Sequence, residues 1–360
     1  MSQIPIASLA SVVAKIEPID PRHLAEAQLR LDSLTKPIGS LGRLEAVAAQ
    51  MYSIFSGTIP LPLRRAVYVF AADHGVTAEG VSAYPREVTA QMVHNFVAGG
   101  AAINVLARLH NVQLTVIDVG VDAEFEPVPG LCRMKVRHGS GNMLREPALT
   151  WGDLTAAIET GIRLAEAAKE QGQTVVAVGE MGIGNTTSAG AIAAVLTKQK
   201  IGEVTGRGAG LDLAGRNHKL NVIRRSLRKH FGVYEETPDP LEILRCVGGL
   251  EIAAMTGFIL SAAANRMAVV CDGFISTSAA AIAHELAPEV SGYLLAGHCS
   301  EEPGHRHLLR HIGLTPILKL GMRLGEGTGA VLAMPLIESS VRLFTEMATF
   351  SSAGVSTATE

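Results

Sequence analysis

The chain has 360 residues, with 31 Lys and Arg against 34 Asp and Glu and a formal net charge of -3. This near balance excludes the strong positive field that recruits nucleic acid or an anionic membrane, so we expect small-molecule partners. Hydrophobic residues make up 48% of the chain and aromatic residues only 4%, which favours an α/β fold with a mostly parallel sheet over a β-sandwich or barrel.

Three features of the sequence bear on the cellular compartment: the N-terminus, the apolar segments and the cysteines. The N-terminal residues lack the basic-then-apolar pattern of a signal peptide. The most apolar stretch, residues 252–271, is interrupted by Asn265 and Arg266, so it predicts a helix running into a strand and no membrane span. We therefore expect a cytoplasmic protein with reduced thiols. The four cysteines contain no CxxC pair, which argues against both a disulfide framework and a zinc ribbon. They are Cys132, Cys246, Cys271 and Cys299.

The elements alternate between helices and strands along the chain. Residues 20–56 have a helical pattern that is broken by a turn at residues 36–39. The segments between the later apolar runs predict right-handed βαβ crossovers in a parallel sheet, and ligands bind at the carboxyl ends of such strands. The apolar runs that predict buried strands are residues 66–72, 114–119, 175–178, 267–271 and 292–296.

A glycine-rich loop follows the third predicted strand, at residues 179–184, and precedes an Ala-rich helix. Backbone N–H groups beside glycines, the side chains of Asn185 and Thr186, and the positive end of a helix dipole together suit a phosphate group. The loop is not a Walker A motif, because no lysine follows its last glycine. The alternative is a glycine-rich turn capped by Thr or Ser.

A second glycine-rich segment, residues 206–210, is followed further along the chain by Lys219. A flexible loop and a lysine can complete an anion cradle with the first loop. The alternative is a surface loop followed by a lysine on a solvated helix face, and the sequence leaves both possibilities open.

Glu326 lies between two glycines at the start of an apolar helix. In a cleft, burial beside apolar walls would raise the pKa of its carboxyl and make it a better base, whereas the helix N-terminus would lower that pKa. The sequence does not decide which effect dominates. The alternative role is a simple helix cap.

Residues 298–307 gather imidazoles, a thiol and carboxylates, which are metal-binding groups. Their spacing matches no HExxH or paired CxxC pattern, and we expect Pro303 and Gly304 to break any helix that would align them. Asp73 and His74 after the first strand are a second candidate, although such a pair more often orients a loop. We therefore expect neither a metal nor a cofactor.

Taken together, these segments resemble one family, the nicotinate-nucleotide–dimethylbenzimidazole phosphoribosyltransferases of the cobalamin pathway, known as the CobT family. Many long motifs occur in one order, so the resemblance covers most of the chain. The matching segments are residues 34–42, 72–76, 104–106, 118–120, 179–187, 272–274, 302–305 and 322–329.

The resemblance implies a reaction and an architecture. The 5-phosphoribosyl group of nicotinate mononucleotide would pass to 5,6-dimethylbenzimidazole, giving nicotinate and α-ribazole 5'-phosphate with inversion at the anomeric carbon. A Rossmann-like parallel-sheet domain would span about residues 61–329. A small helical domain would form from both chain ends, residues 1–60 and 330–360, and the protein would be a homodimer.

The resemblance also implies roles for single residues. Glu326 matches the catalytic base, and Glu180 matches a second active-site carboxylate. Tyr84 departs from the serine of some members, so acceptor preference is left open. The residues that match the donor site are Gly182, Asn185, Thr186, Gly208 and Lys219, with Arg323 beside the base, and those that match the acceptor site are Tyr84, Gln91 and Met92.

Two other functions stay open at this point. A metal-assisted nucleotide hydrolase would use Asp73, His74 and His298, and a non-catalytic nucleotide-binding module would need no base. An apolar slot for the dimethylated ring would include Met181, Leu324 and Met92, although each of these is also an ordinary core residue.

Overall fold

Seven parallel strands form one sheet in the computed structural model, which describes residues 6–233 and 236–356. The strand order is β3-β2-β1-β4-β5-β6-β7, so the direction of chain progression reverses between β1 and β4. The strands are β1 Arg65–Ala72, β2 Gln113–Gly120, β3 Leu131–Arg133, β4 Val175–Met181, β5 Ala268–Cys271, β6 Leu294–His298 and β7 Pro316–Leu318. The prediction of a parallel α/β sheet is confirmed.

The five strands predicted from apolar runs are all present, with bounds shifted by one to three residues. The fourth strand of the chain, β4, continues beyond the predicted end at Val178 to Met181, because Glu180 pairs with Phe70 of β1. Glu180 therefore lies in a strand and not in the loop after it. The two strands that the sequence did not predict, β3 and β7, have three residues each and lie at the sheet edges.

Helices and two 3-10 helices, Gly75–Glu79 and Pro288–Tyr293, connect the strands. The predicted helical segment with its break at residues 36–39 is confirmed, as is the helix running into a strand at residues 252–271. The helices are α1 Ala7–Val13, α2 Pro21–Ser33, α3 Arg43–Ile54, α4 Val88–Ala98, α5 Ala102–Leu109, α6 Trp151–Glu170, α7 Asn185–Thr197, α8 Ile201–Val204, α9 Leu213–Phe231, α10 Pro240–Val247, α11 Leu250–Ala264, α12 Phe274–Leu286, α13 Pro303–Ile312, α14 Thr328–Glu346 and α15 Phe350–Ala353.

The helix pair α6 and α11 packs at very short range because glycines face the contact. A Cβ at Gly161 would collide with the carbonyl oxygen of Ala254, and a Cβ at Gly257 would collide with that of Ile158. Helix α11 in turn lies against β1, β2, β4 and β5, and its residues Leu250–Ala263 are buried. This packing fixes the central strands that carry the cavity described below.

Residues near the two chain ends share a small second core. Leu31 and Leu34 pack with Phe344 of α14, and Leu34 also forms a backbone bridge with Thr349. Helix α1 packs elsewhere, against α6 and α11. The division into a large domain and a helical domain stays a prediction, and residues 1–5 and 357–360 of that predicted domain lie outside the described residues.

The strand order reverses between β1 and β4, and in sheets of this kind ligands bind near such a point, at the carboxyl ends of the strands. Both strands are buried along nearly their whole length, so the loops that follow them are held by a rigid base. Over the described ranges, no helix combines the length and apolar character that crossing a bilayer requires.

Candidate active site

A cavity of about 550 Å³ lies at the carboxyl ends of β4, β5 and β6. The first turn of α7, the second glycine segment, the turn before α14, and residues in and before α4 contribute to the remaining walls. This volume is in the range of sites for small organic ligands. Lys219 and Gln91 lie outside the lining, whereas the other predicted site residues line it: Tyr84, Met92, Glu180, Gly182, Asn185, Thr186, Gly208, Arg323 and Glu326.

Glu326 lies in a turn of unusual backbone geometry. Its φ is +63°, between +88° at Gly325 and +85° at Gly327, and such angles cost a residue with a Cβ roughly 1–2 kcal/mol. A Cβ at Gly179 would collide with the backbone of this turn, and a Cβ at Gly325 would collide with Oε1 of Glu180. The turn therefore lies directly against β4, and its strained glutamate is typical of a functional site.

The surroundings of Glu326 decide the question that its sequence context left open. The side chain is 5% exposed, and its Oε2 accepts a 3.4 Å hydrogen bond from the backbone N–H of Ile103 at the start of α5. Burial raises the pKa of the carboxyl, the Ile103 N–H opposes this, and the charge of Asp272 adds to the rise. Burial dominates, so the pKa of this carboxyl is raised and the group is a stronger base than a solvent-exposed glutamate.

Glu180 is the more deeply perturbed carboxyl of the two. Burial raises its pKa to about 8, the nearby carboxylates of Glu251 and Asp272 add to the rise, and the side-chain amide of Asn185, which donates to Oε2, opposes it. Without a nearby cation, this carboxyl is mostly protonated at neutral pH. A positive charge placed beside it would favour the ionised form.

The predicted anion cradle combines the N-terminus of α7 with a buried lysine. Lys219 of α9 is fully buried, and its Nζ donates a 2.6 Å hydrogen bond to Oγ1 of Thr186 in the first turn of α7. Burial lowers the pKa of Lys219 to about 8, and Glu302 opposes the shift. The alternative of a lysine on a solvated helix face is therefore wrong. Arg323 donates a 3.1 Å hydrogen bond to the carbonyl of Gly208, which ties the second glycine segment to the cavity.

The residues predicted to form an apolar slot come together around the same cavity. Met181 and Leu324 line it together with Met92 of α4. Tyr84, from the loop before α4, is 53% exposed and also lines it. Gln91 lies on an exposed part of α4, and its contact with a substrate stays a prediction.

Two of the residues considered for a metal site, Asp73 and His74, have hydrogen-bond partners elsewhere in the protein. Asp73 Oδ2 accepts a 2.8 Å hydrogen bond from the backbone N–H of Asp122. As expected, no single helix aligns residues 298–307: His298 ends β6, and Pro303 begins α13 at a position where a backbone N–H has no helical partner. Within residues 6–233 and 236–356, no group of three or more His, Cys, Asp and Glu side chains is arranged to hold a metal ion.

Two buried pairs lie at or beside the cavity wall, and the sequence revealed neither pairing. His74 Nε2 is 2.5 Å from Glu251 Oε1, and His74 Nδ1 is 3.2 Å from Ser188 Oγ. In the second pair, Asp272 Oδ1 is 3.7 Å from His298 Nδ1. His74, Asp272 and His298 each lie at or just after the end of a strand, which was a usable signal. Glu251 is a single acid in an apolar helix, and only the fold places it near the cavity.

Comparison with known proteins agrees with this geometry. A sequence model of a family described as phosphoribosyltransferase matches residues 16–355. Proteins named nicotinate-nucleotide–dimethylbenzimidazole phosphoribosyltransferase from Geotalea uraniireducens and Geobacter sulfurreducens are each 52% identical to this chain, over 96% of it and 98% of their own lengths. The crystal structure of CobT from Thermus thermophilus matches with a TM-score of 0.89 at 45% identity, over 94% of this chain and 100% of the solved chain. The resemblance seen in the sequence is thus confirmed, and the chain belongs to the nicotinate-nucleotide–dimethylbenzimidazole phosphoribosyltransferase family.

Proposed function

We propose that this protein transfers the 5-phosphoribosyl group of nicotinate mononucleotide to 5,6-dimethylbenzimidazole. The products are nicotinate and α-ribazole 5'-phosphate, the latter for assembly of the cobalamin nucleotide loop. The observation that carries the proposal is the cavity that brings Glu326, a buried carboxyl with a raised pKa, together with an anion cradle at the N-terminus of α7. Membership of the family supports the same reaction.

Nicotinate leaves the donor without help from an acid. Its pyridinium nitrogen is already cationic, so the glycosidic C–N bond breaks with the electron pair passing to the ring, and nicotinate departs with a neutral ring nitrogen. Positive charge develops on the ribose at the same time. Glu180, ionised by the approaching cation, stabilises that charge electrostatically in a site shielded from water.

The acceptor needs a base. Attack through one imidazole nitrogen would leave the acceptor cationic unless its other nitrogen loses a proton. Glu326 takes this proton, and general-base help of this kind contributes roughly 10²–10⁴ in rate. Attack opposite the departing nicotinate inverts the anomeric carbon and gives the α product.

The cradle binds the far end of the donor. The Thr186 hydroxyl and the backbone around Gly208 line the cavity and offer hydrogen-bond donors to the 5'-phosphate, and the ammonium group of Lys219, directly behind Thr186, adds positive charge. Anchoring the phosphate fixes the anomeric carbon between the leaving ring and the acceptor, and such positioning lowers the barrier without any added chemistry.

The test is nicotinate release from nicotinate mononucleotide, measured with and without 5,6-dimethylbenzimidazole. We expect acceptor-dependent release by the wild type and a loss of roughly 10²–10⁴ in kcat for Glu326→Gln, with donor binding retained. Glu301→Gln is the matched control, because this residue is exposed and lies outside the cavity lining.

Each of the other outcomes would indicate a different function for the protein or for Glu326. Release that does not depend on the acceptor would indicate a hydrolase. Tight donor binding without turnover would indicate a nucleotide-binding module. Full activity of the Glu326→Gln variant would contradict the assigned base and return Glu326 to the role of a helix cap.

A homodimer that acts in the cytoplasm completes the proposal. The family resemblance supports the dimer, and the four cysteines, all free in the structure, suit a reducing compartment. One chain has a mass of 37.8 kDa. Light scattering on the purified protein should give twice this mass, and a value for a single chain at micromolar concentration would contradict the dimer.

A further inference from the structure

The segment of residues 272–274 matched the family, but the proposed reaction leaves Asp272 without a role. Asp272 follows β5 and is 2% exposed. Its Oδ2 accepts a 3.1 Å hydrogen bond from the backbone N–H of Gly327, and its Oδ1 accepts a 3.0 Å hydrogen bond from that of Ala330. One carboxylate thus joins the end of the sheet to the residue after Glu326 and to the first turn of α14.

The turn that carries Glu326 needs such a restraint. Three successive residues, Gly325, Glu326 and Gly327, have positive φ, a conformation that local preferences do not maintain in a residue with a Cβ. Thr328 closes the turn from within, through hydrogen bonds from its backbone N–H and Oγ1 to the carbonyl of Gly325. Asp272 ties the closed turn to the sheet, and so fixes its direction relative to β4.

Asp272 also shapes the charge around Glu326. Burial raises the pKa of Asp272 itself, whereas His298 and the backbone N–H groups of the turn favour its ionised form. A carboxylate here makes ionisation of Glu326 less favourable. Glu180 on β4, His298 on β6 and Arg323 before the turn line the same cavity as Glu326. The carboxylate of Asp272 after β5 and the backbone N–H of Ile103 on α5 also act on Glu326.

We propose that Asp272 is a positioning residue that holds Glu326 in the orientation in which it accepts the proton of the acceptor. This inference rests on the proposed function of Glu326 as the base. It differs from a purely structural capping of α14, because it requires that the loss of Asp272 act through Glu326.

The first test is Asp272→Asn, which keeps the shape of the side chain. An amide nitrogen cannot accept a hydrogen bond, so one of the two N–H groups loses its partner. We expect kcat to fall roughly 10–100-fold while the donor KM stays within about threefold, because small misplacements of reacting groups have effects of this size. The acid limb of the pH profile should move to lower pH, because a negative charge beside Glu326 has been removed.

The matched control is Asp118→Asn. Asp118 lies near the carboxyl end of β2, is 1% exposed and accepts a 2.9 Å hydrogen bond from the backbone N–H of Val121, but it does not line the cavity. Thermal unfolding of both variants measures the stability that each hydrogen bond contributes. The control should leave the kcat and the acid limb of the pH profile as in the wild type.

A double-mutant cycle separates positioning from a general structural effect. In a Glu326→Gln background, Asp272→Asn should lower the remaining activity less than about threefold, since the group that it positions is already disabled. Equal factors in both backgrounds, an unmoved pH profile or an unchanged kcat would overturn the proposal. Asp272→Ser replaces Asp272→Asn if the latter does not fold, and if neither folds, Asp272 is a structural residue and the proposal is rejected. A wild type without acceptor-dependent transfer would instead reject the proposed function itself.

Discussion

The two glutamates on the cavity wall are held in different ways. Glu180 projects from the central strand β4, and its backbone pairs with Phe70 in regular parallel register. Glu326 lies in a turn with a φ of +63°, and its position depends on contacts from Asp272 and from the backbone of Gly179. The sheet therefore fixes Glu180 without strain, whereas Glu326 depends on neighbours that maintain an unfavourable conformation.

The difference extends to protonation. Burial raises the pKa of Glu180 to about 8 and nearby acids add to the rise, so a cation beside it would change its protonation. Glu326 is buried but accepts a backbone hydrogen bond, which limits the rise of its pKa. Under the proposed function, the different surroundings of the two glutamates suit different roles, with Glu180 as an anion that stabilises the donor's cation and Glu326 as the base for the acceptor.

Among substitutions at residues other than Glu326, the largest effect on kcat is expected for Glu180→Gln. Glutamine keeps the shape of the protonated acid and an oxygen for the amide of Asn185, but it cannot become an anion. If ionised Glu180 stabilises the ribosyl cation, kcat should fall roughly 10²–10³-fold. Single-turnover release of nicotinate at saturating donor measures this, and a loss of less than tenfold would show that the neutral form is sufficient.

The same variant tests the protonation of Glu180. Because the carboxyl must ionise when the cation binds, donor affinity in the wild type should fall about tenfold for each pH unit below about 8, and should level off above it. The variant should lack this dependence.

The raised pKa of Glu180 also affects folding stability. The folded state retains a proton that the unfolded state releases above about pH 4.5, so wild-type stability should fall relative to the variant between pH 4.5 and 8. Parallel stability curves would contradict the assignment.

Lys219→Met is expected to have the next largest effect, and it extends the comparison to a buried cation. Removing the ammonium group should raise the donor KM roughly 10–100-fold with little change in kcat, since the phosphate loses its charged partner. Burial lowers the pKa of Lys219 to about 8, below its ordinary value of 10.5, so the unliganded variant should be the more stable protein below pH 8, with the difference fading toward pH 10.5.

The control for this prediction is Lys319→Met, because Lys319 is exposed. It should change neither the donor KM nor the melting temperature by more than about 1 °C. A Lys219→Met variant with normal donor KM would contradict the placement of the phosphate, even if its stability rises as expected.

Much of the fold could be predicted because each main strand is a continuous apolar run. Strands β3 and β7 were missed because three residues are too few to show a periodicity, and both are completed by pairing at a sheet edge. The extension of β4 through Glu180 was also missed. It depends on pairing with β1, which lies more than a hundred residues earlier in the chain.

The candidate site was harder to predict, because its chemistry depends on long-range neighbours. The direction of the Glu326 pKa shift depends on burial and on the N–H of Ile103, more than two hundred residues away in sequence. The burial of Lys219 could not be predicted from a helix rich in Arg and Lys. The resemblance supplied the identities of these residues, and the fold supplied their environments.

The smallest effect is expected for Tyr84→Ser, which tests whether the acceptor side of the cavity is independent of both glutamates. Tyr84 is 53% exposed, so its ring covers only part of a bound acceptor, and its loss should raise the acceptor KM about two- to fivefold. The donor KM and kcat should stay within about twofold, because Tyr84 belongs to the loop before α4 and not to the turn of Glu326 or the phosphate cradle. Leu320→Ser, an exposed apolar residue outside the cavity lining, is the control. A hundredfold loss of kcat in Tyr84→Ser would show that the tyrosine helps to align the acceptor with the base. Catalysis would then depend on three residues of the cavity wall, and not on the two glutamates alone.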